Sequence, residues 1–115
     1  MLNKLEYIGK YPVTFNINVM EEIQEKYGSI GAWGAIVENA EGGEPKVKDL
    51  KVGLMAMINE GIDIENEKNG TNIPFVESRH VGRIISEIGF EAITRVIKNL
   101  AVASTNTGDN EGKNE

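Results

Sequence analysis

Apolar residues alternate at period 2 in one stretch of this chain, residues 3–17. After Asn18 they recur at helical spacing. This change of period constrains the fold most, because a lone two-stranded hairpin is marginal and needs a helical surface to cover. Leu5 and Tyr7 alternate with Lys4 and Glu6. Gly9-Lys10 then offers a two-residue turn, with glycine where a type II′ turn needs positive φ. Val13, Phe15 and Ile17 alternate with Pro12, Thr14 and Asn16, giving the second strand an apolar face. Pro12 lacks an N–H, which predicts a free edge near the start of that strand.

Helix signals fill the rest. Asn18 reads as an N-cap with Glu21 in the capping-box position, and Met20, Ile23 and Tyr27 form a stripe that Gly28 closes. This predicts a helix over 19–27. Ile30, Trp33, Ile36 and Val37 predict a short helix over 31–39 that buries the single tryptophan. A loop at 41–45 follows. Val47, Leu50, Leu54, Met57 and Ile58 predict a helix over 47–60 ending at Gly61, and 62–74 reads as a polar connection. Val81, Ile84, Ile85 and Ile88 predict a helix over 76–88. Phe90, Ile93, Val96, Ile97 and Leu100 predict another over 90–103. The expected core is Ile23, Tyr27, Trp33, Leu50, Leu54, Ile58, Ile84, Ile88, Ile93 and Ile97.

The fold class is therefore α+β and mostly α. An N-terminal hairpin packs on four to five helices in a single domain, residues 1–103. Residues 104–115 have a disordered, acidic-tail composition that cannot offset the entropy of ordering.

Composition narrows the function. The 115 residues suit one domain, and 40% hydrophobic residues supply a small core. The net charge of −6 argues against nucleic acid as the main partner. The chain has no cysteine, which excludes disulfides, thiolate metal sites and thiol catalysis. No apolar run reaches the ~20 residues of a membrane span, and the opening residues lack a secretory h-region.

Few residues point to chemistry. His80, the single histidine, sits in Glu-Ser-Arg-His-Val and reads as a surface residue on a helix. Glu65, Glu67, Asn69 and Gly70 fall at positions 1, 3, 5 and 6 of an EF-hand frame. Position 1 should be Asp, however, and position 12 falls on Val76, so a solvated acidic loop is the reading. Gly28, Gly31 and Gly34 lack the context of a phosphate loop. No catalytic residue, metal or cofactor is expected, and the chain reads as a non-enzymatic interaction module. Candidate contact residues are Tyr7, Tyr11, Thr14 and Phe15 on the hairpin, whose edges can recruit a strand or simply cover the helices. Met55 joins them, pointing away from the apolar face of its helix.

The order of elements resembles a known family. It runs through Gly9-Lys10-Tyr11-Pro12-Val13-Thr14-Phe15, a helix from Glu21-Glu22-Ile23 to Tyr27-Gly28, and Leu54-Met55-Ala56-Met57-Ile58-Asn59-Glu60-Gly61. Val81-Gly82-Arg83-Ile84-Ile85 and a last helix with Ile93 and Ile97 complete it. The sequence is similar in this to the tail assembly chaperones of long-tailed bacteriophages and the related small tail proteins of gene transfer agents. The resemblance covers about residues 5–103 and is sharpest at Tyr27-Gly28 and Glu60-Gly61. The Trp33 segment and residues 62–74 depart from the pattern. It implies a protein of the host bacterial cytoplasm that binds the tape measure protein, keeps it soluble and recruits tail tube subunits. Self-association and helix-in-groove recognition are expected of it, while an enzymatic role, nucleic acid and membrane are not. A structural tail or head–tail connector component is the alternative. A DNA-binding regulator would need a dense basic patch, and Arg79, Arg83, Arg95 and Lys98 do not form one in the sequence.

Overall fold

The computed structural model describes residues 5–39 and 46–100. Two strands, β1 (Glu6–Ile8) and β2 (Tyr11–Val13), form an antiparallel hairpin. Helices α1 (Ile17–Tyr27), α2 (Ile30–Asn39), α3 (Val47–Asn69) and α4 (Ser78–Ile88) follow. A fifth, α5, occupies residues 90–100. The architecture is the hairpin on helices that the change of period implies. The loop at 41–45 and the tail from 104 lie outside the described residues.

The turn forms at Gly9-Lys10, with Gly9 at φ 61° and Ile8 opposite Tyr11. The pair beside a two-residue turn exchanges ladder bonds and the next pair does not. Pro12, opposite Tyr7, falls at that second pair, so its missing N–H costs no ladder bond. Its side of β2 is not open. It lies against α3, and the Thr14 amide donates to the Met57 carbonyl at 3.3 Å. The predicted alternation shifts accordingly. Ile8, not Tyr7, is the buried residue of β1. The segment through Val13, Thr14, Phe15 and Asn16 is buried on both faces, while Ile17 is exposed at the start of α1.

Helix α1 starts two residues earlier than expected. Its N-cap is Asn16, whose side-chain oxygen accepts from the Val19 amide at 3.2 Å. The Nδ2 groups of Asn16 and Asn18 both donate to Glu60, at 2.9 and 3.0 Å. Asn18 therefore ties α1 to α3 instead of capping it. Gly28 closes α1 at φ 87°, as its place after the stripe implied.

Helix α3 is the central element, touching β2, α1, α2 and α4. It does not stop at Gly61 but runs on to Asn69, where Gly70 in the left-handed region ends it. Two glycines on its buried face are sites of close approach. A Cβ on Gly61 would lie 2.5 Å from the Pro12 carbonyl oxygen, and one on Gly53 would lie 2.0 Å from the Trp33 ring. The first lets β2 cross backbone to backbone. The second makes the slot for the indole, which is buried and donates from Nε1 to the Asp49 carbonyl at 3.0 Å.

The connection expected over 62–74 is thus half helix and half extended chain. Two asparagines hold the extended half to α3. Asn59 accepts from the Val76 amide at 2.8 Å and donates to its carbonyl at 3.2 Å. Two helical turns on, Asn66 treats Ile73 the same way, at 2.9 and 3.0 Å. Each side-chain amide acts as a strand partner would. Helix α4 begins at Ser78 because Val76 is held in this extended run. Of the expected core, Ile23, Trp33, Leu50, Leu54, Ile58, Ile84, Ile93 and Ile97 are buried; Tyr27 and Ile88 are half-buried and pack against it.

Candidate functional site

Glycine at the hairpin turn brings the turn down over the end of α4. A Cβ on Gly9 would sit 3.9 Å from Ile88 Cδ1. Tyr11, next in the chain, reaches the start of the same helix. Its hydroxyl lies 2.8 Å from His80 Nε2, and the two rings meet edge to face at 5.4 Å. On the other side, Lys51 of α3 extends across α4, with Nζ 3.4 Å from the place a Gly82 Cβ would take. Turn, α3 and α4 thereby enclose an open groove of about 1540 Å³.

Exposed Val47 and the half-buried Tyr11 and Ile88 give the groove its apolar surface, with the buried Ile8 and Ile84 beneath. Lys10, Lys51, Arg79 and Arg83 bring four positive charges to it, and Glu87 is the one acid among its described lining residues. Arg79 and Arg83 are four apart on α4 and project from one face. No ion pair among the described residues engages Lys51, Arg79 or Arg83. Lys10 lies 5.5 Å from the Tyr11 ring centre, close enough for a cation–π contact. Four cations are thus concentrated in one depression on a chain of net charge −6. Arg95 and Lys98, on α5, do not line it.

The candidate contact residues disperse. Tyr11 lines the groove. Tyr7 is exposed on the other face of the hairpin, and its hydroxyl donates to Glu65 at 3.1 Å. That hydrogen bond, with the nearby carboxylate charge, raises its pKa above the ordinary tyrosine value. Met55 is half-buried against the core. Thr14 and Phe15 are corrected: both are buried, at 0% and 2% exposure, because α3 covers the chain leaving β2. They build the fold and offer no surface to a partner. The edge expected at Pro12 is likewise closed by α3.

The EF-hand frame also dissolves. Glu65, Glu67 and Asn69 stand on α3, so Gly70 alone of the four lies in a turn. Among the described residues no group of three or more His, Asp or Glu could hold a metal ion. His80, read as a surface residue, is half-buried and engaged by Tyr11.

Sequence reading left Lys10, Lys51 and His80 out of any site. The i, i+4 spacing of Arg79 and Arg83 was the available signal. Their convergence with Lys10 and Lys51 depends on how the hairpin and α3 meet α4.

One structural node lies apart from the groove. The Tyr27 hydroxyl donates to Asp49 Oδ1 at 2.7 Å, while the Asp49 carbonyl takes the Trp33 indole N–H. Burial first, then the hydrogen bond to Asp49 and its charge, push the Tyr27 pKa up to about 12. Asp49 thus joins α1, α2 and the first turn of α3.

Comparison with known proteins gives no match: no protein-family model, curated protein or solved structure is similar to the chain. No helix among the described residues is long and apolar enough to cross a membrane.

Proposed function

We propose that this chain is a tail assembly chaperone of a long-tailed bacteriophage, a non-enzymatic protein of the host bacterial cytoplasm. It binds the tape measure protein, holds it in solution while the tail is built, and recruits tail tube subunits. The observation that carries the reading is the open groove with an apolar surface and four cations, of which Lys51, Arg79 and Arg83 meet no ion-pair partner among the described residues. Such a surface suits a segment of another protein, because apolar contact supplies affinity and charge sets the choice of partner. The order of elements supports the same reading, with the hairpin first and Tyr27-Gly28 closing the helix after it.

Many copies along one long partner would give avidity from weak single contacts. The test is co-expression with a tape measure protein encoded beside this chain, followed by fractionation and pull-down. The reading expects a soluble tape measure protein carrying several copies of this chain. An insoluble, unbound tape measure protein, with this chain present in purified virions, would overturn it in favour of a structural tail or connector part.

A further inference from the structure

We infer that the groove between the hairpin turn, α3 and α4 receives an acidic amphipathic helix of a protein partner. The inference rests on the reading of the chain as a partner-binding protein and adds the chemistry of what it binds. Exposed Val47 and the half-buried Tyr11 and Ile88 offer a surface for one helix face, over the buried Ile8 and Ile84. Lys10, Lys51, Arg79 and Arg83 offer charge to carboxylates beside that face.

Spacing adds a constraint. Arg79 and Arg83 are one helical turn apart, so an antiparallel partner with acids at i and i+4 presents carboxylates at the same pitch. Charge selects against alternatives. The four cations of the groove repel a basic helix, and the acidic excess of the rest of the chain repels the flanking phosphates of a nucleic acid. Tyr11 is the one extended aromatic face in the groove, too little for a track of stacked bases. Whole-chain charge alone suggests a basic partner; the groove's charge is local and of opposite sign, and contact is made there.

The experiment uses the full chain and three labelled probes. These are a Glu/Leu amphipathic helical peptide with acids at i and i+4, its Lys/Leu counterpart, and a single-stranded oligonucleotide. Anisotropy should show the acidic peptide bound, weakening as salt rises, with the other two bound at least about tenfold more weakly. The Arg79→Glu/Arg83→Glu variant should lose about tenfold or more of acidic-peptide affinity and gain affinity for the Lys/Leu peptide. Both residues are exposed, and an unchanged circular dichroism spectrum confirms the fold. A wild-type chain that ignores the acidic peptide, prefers the oligonucleotide or binds both peptides equally would overturn the inference. So would a folded variant that binds as wild type does. Failure of the chaperone reading is distinct: the acidic peptide binds, yet the co-expressed tape measure protein stays insoluble.

Discussion

Replacing Gly61 by alanine should destabilise the protein, although the same change in most helix interiors stabilises by about 0.5–1 kcal/mol. The added Cβ would come 2.5 Å from the Pro12 oxygen, 2.6 Å from its carbon and 2.9 Å from the Val13 nitrogen. These are backbone atoms with no rotamer to escape into. Ordinary contact at 3.4 Å requires β2 to retreat by about 0.9 Å. That retreat stretches the 3.3 Å bond from the Thr14 amide to Met57 beyond hydrogen-bonding range. Overpacking costs about 1–3 kcal/mol and the lost bond about 1 kcal/mol, less the helix gain. A net loss of ~2 kcal/mol lowers Tm by about 8–16 °C in a domain of this size. Gly34→Ala in α2 is the control, because its Cβ meets nothing within 4 Å. It should raise Tm by a few degrees. Thermal unfolding followed by circular dichroism reads both. A Gly61→Ala variant as stable as wild type would refute the account of how β2 crosses α3.

Gly53→Ala should drive the Trp33 indole from its slot, seen as red-shifted emission from the single tryptophan together with a lower denaturation midpoint. Asn59→Ala leaves the Val76 amide and carbonyl without their partner and should cost about 1–2 kcal/mol, with faster amide exchange at Val76. The more exposed Asn66→Ala should cost less. Tyr27 should ionise near 12 in a phenolate absorbance titration. Asp49→Asn should lower that value only part of the way toward 10, because burial is the larger cause. The sign for stability follows: the neutral phenol is favoured in the folded state. Its contribution is therefore complete below pH 10 and lost as pH rises from about 10 to about 12. Denaturation midpoints that fall through this window in wild type but fall less in Tyr27→Phe would bear this out.

Much of the fold was legible because periodicity is local. The hairpin turn at Gly9-Lys10, the stripe ending at Tyr27-Gly28 and the apolar faces of α3, α4 and α5 follow from spacing alone. Gly61 misled because a glycine after an apolar stripe reads as a stop. Only the crossing of β2 reveals why a Cβ is missing there. The polar run after it then read as a connection, although Asp63, Glu67 and Lys68 are the exposed side of a longer helix. Asn16 and Asn18 were equally good caps by type, and Glu60, far along the chain, decides between them. Thr14 and Phe15 read as a strand edge because burial by α3 is a tertiary fact. The groove was the least legible feature: no local pattern links the Arg79 and Arg83 pair to Lys10 and Lys51 on two other elements.

Amide chemical-shift mapping of the full chain with the soluble tape measure protein, or with its isolated acidic segments, tests the central claim most directly. The account predicts that shifts concentrate at Gly9, Lys10, Tyr11, Lys51, Arg79, Gly82 and Arg83 and disappear in the Arg79→Glu/Arg83→Glu variant. Shifts confined to the other face of the hairpin around Tyr7, with the groove silent, would contradict it.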